Sequence, residues 1–443
     1  MARATRRRPG PADGLRAADW RPAAYAHGVT TAPALGLLTV RSVAVPDPGP
    51  LLDLLPEHDG LAWTSGGEGI VGWGEAARLV LPAGEPDRFA RAQAWWDEVV
   101  RGAEVDDEVG LPGSGLVAFG SFGFDAVRTS SVLVVPAVVV GRRDDTWWVT
   151  TVGEAAATVL PLRSPARAPG PVRFADGTRT GPEWMDVVAA AVARIVAGEL
   201  DKVVLARDLE VRFEAPLDVR WPLKRLARDY PGCWTFCVDG LLGATPEMLL
   251  RLRDGVATSR VLAGTLRRSG DVNMDLRKSN ALERSIKDVE EHGYGVRSVV
   301  DALSHHCAAV DVPAAPFVLD LPNVMHLATD VRGVVADGAT SLGLIASLHP
   351  SAAVCGSPTD VAMGVIGEVE GLDRGRYTGP VGWLDARGEG EWGIALRCAE
   401  VDPADPARLR LFAGCGIVAG SRPEDELAES SAKLVPMRDA LEP

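Results

Sequence analysis

Short apolar runs separated by glycine and proline dominate the first third of the chain. Between residues 31 and 150, apolar residues are concentrated in Leu37–Val45, Val132–Val140 and Trp147–Val152. Runs of this length bounded by turn-forming residues are typical of β-strands. One amphipathic pattern, Pro86–Val100, predicts a helix among them. This part of the chain is therefore predicted to be rich in strands.

A stretch dense in proline and glycine, residues 161–182, separates this part from a region with longer elements. It is either a linker between two domains or a surface connection within one domain. After it, a helical pattern begins at Pro182 and ends at Gly198, because proline is accepted in a first helical turn and glycine is frequent just after a helix. The segment Lys202–Phe213 ends in alternating polar and apolar residues and is predicted to be a strand.

The rest of the chain combines hairpins with long helices. A hairpin is predicted from Met248 to Leu262, turning at Asp254-Gly255, and a long charged helix over residues 274–304. The C-terminal part predicts three strands and a final helix, namely Gly379–Leu384, Glu391–Val401, Arg408–Gly414 and Pro423–Leu441. Strands in hairpin order with helices outside predict an α+β fold of large antiparallel sheets packed together.

Composition and charge exclude several classes of protein. The chain has 443 residues with a formal net charge of −14, which disfavours a nucleic-acid-binding protein. No apolar stretch approaches the roughly 20 residues that span a bilayer. Residues 1–30 begin with basic residues but contain no apolar signal sequence, so a weakly ordered tail is expected. Six sparse cysteines without a C-x-x-C pair are typical of reduced thiols, which favours a cytoplasmic protein.

Lysine is rare in this chain, and one lysine occupies an unusual position. Only five of the 46 basic residues are lysines. Lys202 begins an apolar strand, where partial burial would favour the neutral amine and lower the lysine pKa. An amine of this kind is suited to act as a general base, which a guanidinium is not. The alternative is a lysine at a strand edge that extends its ammonium group into solvent.

Two helices carry acidic residues at a spacing that places them on one face. Asp288 and Glu291 are separated by three positions, as are Glu426 and Glu429, and Lys433 follows one turn later. Carboxylates on two helices would suit a hard cation such as Mg²⁺, which prefers oxygen ligands. The alternative is that both are ordinary solvated helix faces.

Three further positions could take part in catalysis or in binding an anion. Glu247 begins an apolar run, where loss of solvent could raise its carboxyl pKa enough for a general acid; otherwise it is a turn residue. Arg397 lies in an apolar segment and needs an anionic partner, which is either a substrate carboxylate or an internal ion pair. The segment Gly414-Cys415-Gly416 ends a strand and could offer backbone N–H groups to an anion.

Several motifs resemble those of chorismate-utilising enzymes. These are V-M-H-L-A-T-D-V-R-G at 324–333, L-H-P-S-A-A-V-C-G-S-P at 348–358, G-L-D-R-G-R-Y-T-G-P-V-G-W at 371–383 and A-G-C-G-I-V-A-G-S at 413–421. The resemblance covers residues 180–442 and includes the segments around Lys202, Glu247 and Glu291. It implies the fold of the aminodeoxychorismate synthases and a single catalytic domain over residues 31–443.

The resemblance also implies a role for each candidate residue. Lys202 would be the base and Glu247 the acid. Glu291 and Glu429 would be the main Mg²⁺ ligands, with Asp288 and Glu426 nearby. Binding of substrate would involve Arg397, Tyr377, Gly414, Gly416, Lys433, Gly264, Thr265, His326 and Ala328.

Among the reactions of this family, the lysine at position 202 favours addition of water to chorismate, which gives isochorismate. The small residue Ala328 favours release of that product over further elimination of pyruvate to salicylate, the nearest alternative. An amine-adding synthase component and a non-catalytic chorismate-binding relative are less favoured. No glutaminase subunit and a monomer are expected. The product could serve menaquinone, siderophore or salicylate synthesis, and the similarity favours the enzymes of menaquinone synthesis.

Overall fold

The computed structural model describes residues 37–153, 164–322 and 324–443. The predicted N-terminal tail, residues 1–30, lies outside the described residues. Residues 37–153 form nine strands and one α-helix. These are β1 Leu38–Val45, β2 Leu61–Ser65, β3 Glu68–Trp73, β4 Ala77–Leu81, α1 Arg88–Arg101, β5 Ala103–Asp107, β6 Val117–Ser121, β7 Ser131–Val135, β8 Val138–Arg143 and β9 Thr146–Val152.

The described residues after 163 add seven helices and fourteen strands. The helices are α2 Gly181–Val196, α3 Arg220–Asp229, α4 Val272–Glu283, α5 Ile286–Ser304, α6 Ser341–Leu348, α7 Thr359–Val369 and α8 Pro423–Leu441. The strands are β10 Arg173–Asp176, β11 Lys202–Arg212, β12 Trp234–Val238, β13 Leu241–Thr245, β14 Met248–Arg253, β15 Val256–Arg267, β16 Cys307–Asp311, β17 Phe317–Asp320, β18 Val324–Val335, β19 Gly356–Ser357, β20 Pro380–Asp385, β21 Gly390–Ile394, β22 Cys398–Asp402 and β23 Asp405–Ile417.

The strands form two large sheets. The first has 13 strands in the order β10-β11-β23-β22-β13-β12-β2-β3-β8-β9-β1-β5, with β19 paired to β11. The second has 10 strands in the order β16-β18-β15-β14-β21-β20-β6-β7-β4, with β17 paired to β18. Among the described strand pairs only β1 and β5 are parallel. The prediction of an α+β fold with large antiparallel sheets is confirmed.

The early and late parts of the chain share both sheets. In the first sheet β2 pairs with β12, and in the second β6 pairs with β20. The inner faces of the sheets pack together through large side chains, including Trp63 and Phe236 from the first sheet and Phe119 and Trp383 from the second. The free energy of burying side chains of this size, about 1.5–3 kcal/mol each, holds the two sheets face to face.

Two predicted elements are interrupted in the structure. The predicted helix over residues 274–304 is two helices, because the Ser285 side chain accepts a hydrogen bond from the Asp288 amide and thereby starts a new helix. The predicted strand Glu391–Val401 is wrong as a single strand: β21 belongs to the second sheet and β22 to the first. Between them Arg397 adopts a left-handed backbone conformation, with φ 49°, that no strand accommodates.

The helices cover the outer faces of the sheets. Helix α5 packs on β15 and β18, and helix α8 packs on β23 and against α2 and α3. Within the described residues, no helix combines the length and the apolar character needed to cross a membrane.

Candidate active site

A cavity opens between the two sheets and helices α5 and α8. Ten of the residues predicted from the sequence line it: Glu247, Gly264, Glu291, His326, Tyr377, Arg397, Gly414, Gly416, Glu429 and Lys433. The structure therefore brings residues from distant parts of the sequence to one cavity.

Glu247 lies where the chain crosses from the first sheet to the second, between β13 and β14. Its amide donates to Thr245 Oγ1 at 3.2 Å, and its Oε1 accepts the Leu262 amide at 3.4 Å. Burial raises the pKa of the Glu247 carboxyl from 4.5 to about 7, although the Leu262 amide and the positive charge of Lys202 oppose the shift. A substantial fraction of this carboxyl is therefore protonated at neutral pH, as a general acid requires.

Lys202 is the first residue of β11 and is almost completely buried. Its Nζ lies 3.2 Å from Glu291 Oε1. Glu291 reaches this position over Gly416, where an added Cβ would lie 2.0 Å from Glu291 Oε1 and 2.9 Å from Lys202 Cε. Gly416 is thus needed for space. Lys202 does not itself line the cavity and contacts it through Glu291.

Helix α8 provides a second lysine–glutamate pair. Lys433 Nζ lies 2.6 Å from Glu429 Oε1 and donates to the Gly414 carbonyl at 3.0 Å. Burial lowers the pKa of Lys433, but the neighbouring Glu429 carboxylate outweighs this and the pKa lies above its usual range. The Lys433 ammonium group is therefore charged at neutral pH.

Glu426 and Glu429 approach each other near the thiol of Cys415. Ligand atoms of these three residues lie within 4.8 Å of one another. The Cys415 thiol donates to the Glu426 carbonyl at 3.3 Å, and burial raises its pKa well above the usual range. A protonated thiol is a poor metal ligand, so the useful donors here are carboxylate oxygens.

Asp288 lies in the first turn of α5, one turn before Glu291. It contacts the backbone of Gly264, since an added Cβ at Gly264 would lie 2.9 Å from Asp288 Cβ and 3.3 Å from its Oδ1. Gly264 also has a positive φ of 71°, so a larger residue there would be both strained and obstructed. The bulge at this glycine in β15 brings the sheet under the acidic turn of α5.

Arg397 projects toward the cavity from the crossing between β21 and β22. Its Nη2 donates to His326 Nε2 at 3.3 Å, while His326 Nδ1 lies 3.3 Å from the Gly264 carbonyl. Burial, together with the positive charge of Arg397, lowers the pKa of His326 well below 6.5, so the imidazole is neutral. No ion-pair partner of Arg397 occurs in the part of the chain that the structure describes. This favours an external anion over the internal ion pair.

Three predicted residues, Ala328, Glu426 and Asp288, are not among the residues that line the cavity. Ala328 is fully buried in β18 opposite Leu262 and does not line the cavity. The backbone of Thr265 pairs with His326 across β15 and β18. Glu426 is buried, and Asp288 contacts Gly264.

The sequence reasoning missed residues that hold this arrangement in place. Thr378 lines the cavity with a left-handed φ of 63°, and its amide donates to the Ala395 carbonyl at 2.9 Å. The sequence signal that could have identified Thr378 is its position in the R-Y-T-G-P motif, next to Tyr377.

A buried ion pair, Glu370–Arg374, supports the strand that carries Lys202. Strand β19 pairs with β11 only at Lys202 and Val203. Beyond that point Arg374 Nη2 donates to the Val204 carbonyl at 2.7 Å, and Glu370 Oε2 accepts the Ala206 amide at 2.8 Å. The ion pair thus satisfies backbone groups that a longer strand would otherwise bind.

Comparison with known proteins agrees with this geometry. Residues 167–442 match the sequence profile of the chorismate binding enzymes, and the chain belongs to that family. The isochorismate synthase DhbC of Bacillus subtilis is 40% identical over 271 residues, which cover 58% of this chain and 67% of that protein.

Two solved structures share the fold over nearly their whole length. A Bacillus anthracis protein, provisionally named a 2,3-dihydroxybenzoate-specific isochorismate synthase, is 31% identical with a TM-score of 0.73, covering 88% of this chain and 98% of the other. The menaquinone-specific isochorismate synthase MenF of Escherichia coli has a TM-score of 0.75 at 24% identity, covering 94% and 97%. Because the sequence identity to MenF is only 24%, this comparison supports the fold alone.

Proposed function

We propose that this protein is an isochorismate synthase, which adds water at C2 of chorismate and releases the C4 hydroxyl as water. The observation that carries the proposal is the pair Lys202 and Glu247. Glu247, whose carboxyl pKa is raised to about 7, lines the cavity, and the buried amine of Lys202 pairs with the cavity residue Glu291, within a family that binds chorismate. A reaction in which one ring carbon gains a hydroxyl while another loses one needs both a base and an acid.

In the proposed mechanism, Arg397 binds a substrate carboxylate through its planar guanidinium group, and Tyr377 closes the same side of the cavity. Tyr377 is held by stacking on Phe412, with ring centroids 5.2 Å apart. Lys202 takes the proton from the water that attacks C2. Glu247 gives its proton to the departing C4 hydroxyl, so one water is consumed and one is released. The burial of both groups keeps bulk water from competing for these protons.

The donor set also fits a divalent cation. Glu291 from α5 and Glu429 from α8 both line the cavity, Glu426 lies beside Glu429, and the nearby thiol stays protonated. A set made of carboxylate oxygens suits Mg²⁺ better than a softer metal. When bound, Mg²⁺ would supply positive charge for the ring carboxylate of the substrate, with Glu291 and Glu429 as its ligands and Asp288 and Glu426 behind them.

A product analysis tests the proposal. The protein is incubated with chorismate and Mg²⁺, with ammonium present or absent, and isochorismate, salicylate and anthranilate are separated by chromatography. Isochorismate is expected as the product under both conditions. Formation of salicylate with pyruvate would replace the proposal by the salicylate synthase alternative, and an aminated product would replace it by the ammonia-using branch. Glu247→Gln is the matched control, since it should remove turnover without changing the shape of the cavity.

A further inference from the structure

Each glutamate proposed to bind the metal is already paired with a buried lysine. Lys202 Nζ lies 3.2 Å from Glu291 Oε1, and Lys433 Nζ lies 2.6 Å from Glu429 Oε1. The lysine side chains are 1% and 12% exposed, so solvent screens neither pair well. Both pairs contact the end of β23: Lys202 packs beside Gly416, and Lys433 donates to the Gly414 carbonyl.

The two proposed metal ligands already have positive partners without a metal ion. Lys202 pairs with Glu291, and Lys433 pairs with Glu429. A divalent cation added alone would bring two positive charges close to two ammonium groups, at a site where water is largely excluded. It can therefore bind the glutamate oxygens only if the ammonium groups give up those oxygens.

We infer that Lys202 and Lys433 are tethered counter-ions that occupy Glu291 and Glu429 in the metal-free protein and compete with the divalent cation for them. This inference rests on the proposed function, because it takes the two glutamates as metal ligands. Under this inference Lys202 has two positions. Without the metal its amine pairs with Glu291, and when the metal binds Glu291 the amine is released and can reach the cavity. The same pairs let the metal-free protein bury these carboxylates without leaving them unpaired.

The inference makes metal affinity, and not only activity, depend on the lysines. Replacing a lysine by an uncharged residue removes one competing positive charge beside a glutamate. We therefore expect Lys202→Met and Lys433→Met to bind the divalent cation at least about tenfold more tightly than the wild type when no substrate is present. In the absence of metal the same variants should be less stable, because each leaves a buried carboxylate without its partner.

The test measures Mn²⁺ binding directly, from the loss of the free-ion electron paramagnetic resonance signal, with Mg²⁺ as competitor. Wild type, Lys202→Met and Lys433→Met are titrated without chorismate, and their urea midpoints are measured in EDTA and in Mn²⁺. Lys224→Met is the matched control, because Lys224 pairs with Asp53 on the surface at 2.5 Å and is 43% exposed. Its Mn²⁺ affinity should equal that of the wild type. Lys202→Gln and Lys433→Gln repeat the test if a methionine variant does not fold.

The outcomes separate this inference from the proposed function. Tighter Mn²⁺ binding by the lysine variants, with a lower urea midpoint in EDTA that Mn²⁺ restores, supports competition. Folded variants that bind Mn²⁺ with unchanged or weaker affinity overturn the inference and leave the metal site intact. If neither wild type nor variants bind Mn²⁺, with or without chorismate, the metal site of the proposed function fails as well.

Discussion

Glu247 offers a test in which stability and catalysis should change in opposite directions. Its carboxyl is 4% exposed and its pKa is raised from 4.5 to about 7 by burial. The folded protein therefore holds a proton that the unfolded chain releases. This contributes stability below pH 4.5, and the contribution is lost as the pH rises through 7. Glu247→Gln replaces the carboxyl by a neutral group of similar shape, so the variant should not lose stability in this way.

The size of the effect follows from the two pKa values. One pKa unit corresponds to about 1.36 kcal/mol, so a shift from 4.5 to about 7 amounts to about 3 kcal/mol. Relative to wild type, Glu247→Gln should therefore gain up to about 3 kcal/mol in free energy of unfolding between pH 4.5 and pH 8. Over the same range its turnover should be lower by about 10²–10⁴-fold, because it cannot protonate the leaving hydroxyl. In the wild type, kcat/KM should fall as the pH rises above about 7, where the acid ionises.

Urea denaturation at pH 5 and pH 8, in EDTA and without substrate, measures the stability difference. Glu391→Gln is the control: Glu391 is also buried, but it accepts hydrogen bonds from Arg143 and Arg251, both at 3.2 Å. Removing its charge should destabilise the protein at pH 8. A stability difference between wild type and Glu247→Gln that does not change with pH would refute the argument, because Glu247 would then ionise as an ordinary glutamate.

Four further changes test the remaining parts of the site. Lys202→Arg should lower kcat by about 10²–10⁴-fold, because guanidinium does not release a proton near neutral pH, while chorismate still quenches tryptophan fluorescence; near-normal turnover would leave Lys202 with a purely electrostatic role. Arg397→Lys should raise KM, because the planar guanidinium group, which can bind a carboxylate through two hydrogen bonds, is replaced by a single ammonium group. An unchanged KM would mean that another cation binds the substrate. Gly416→Ala should weaken Mn²⁺ binding with little loss of fold, because its Cβ would lie 2.0 Å from Glu291 Oε1; unaltered Mn²⁺ binding would argue against Glu291 as a ligand. Chelation by EDTA should abolish turnover and Mg²⁺ should restore it, whereas full activity in EDTA would contradict a metal requirement.

Local patterns in the sequence were sufficient for most elements of the fold. The alternation in Lys202–Phe213 and the acidic start of Pro423–Leu441 correspond to β11 and α8. The pattern could not show that the apolar run from Glu391 to Val401 changes sheets. That change depends on a left-handed residue at Arg397, and side-chain periodicity carries no information about φ.

The site was predictable residue by residue but not as a set of contacts. Burial of Glu247 and the acidic faces of two helices follow from local sequence. The pairing of Lys202 with Glu291 joins residues 89 positions apart in the sequence. It also requires a residue without a side chain, Gly416, next to both groups. The Glu370–Arg374 ion pair was missed for a related reason, since its partners are backbone groups of β11 that only the fold places within reach.

The positions of Glu247 and Arg397 suggest why this fold can hold a polar site in an apolar interior. Both residues lie where the chain crosses from one sheet to the other, Glu247 after β13 and Arg397 before β22. Within a strand, side chains point alternately to the two faces of the sheet, and those on the inner face are packed against the other sheet. A residue at a crossing does not follow this alternation, so its side chain can point into the cavity. Left-handed conformations at Arg397 and Thr378 cost about 1–3 kcal/mol each. The Thr378 amide donates to the Ala395 carbonyl, and the Ala395 amide donates to the Gly379 carbonyl, so these hydrogen bonds hold the two left-handed segments together. The backbone strain therefore coincides with two residues that line the cavity.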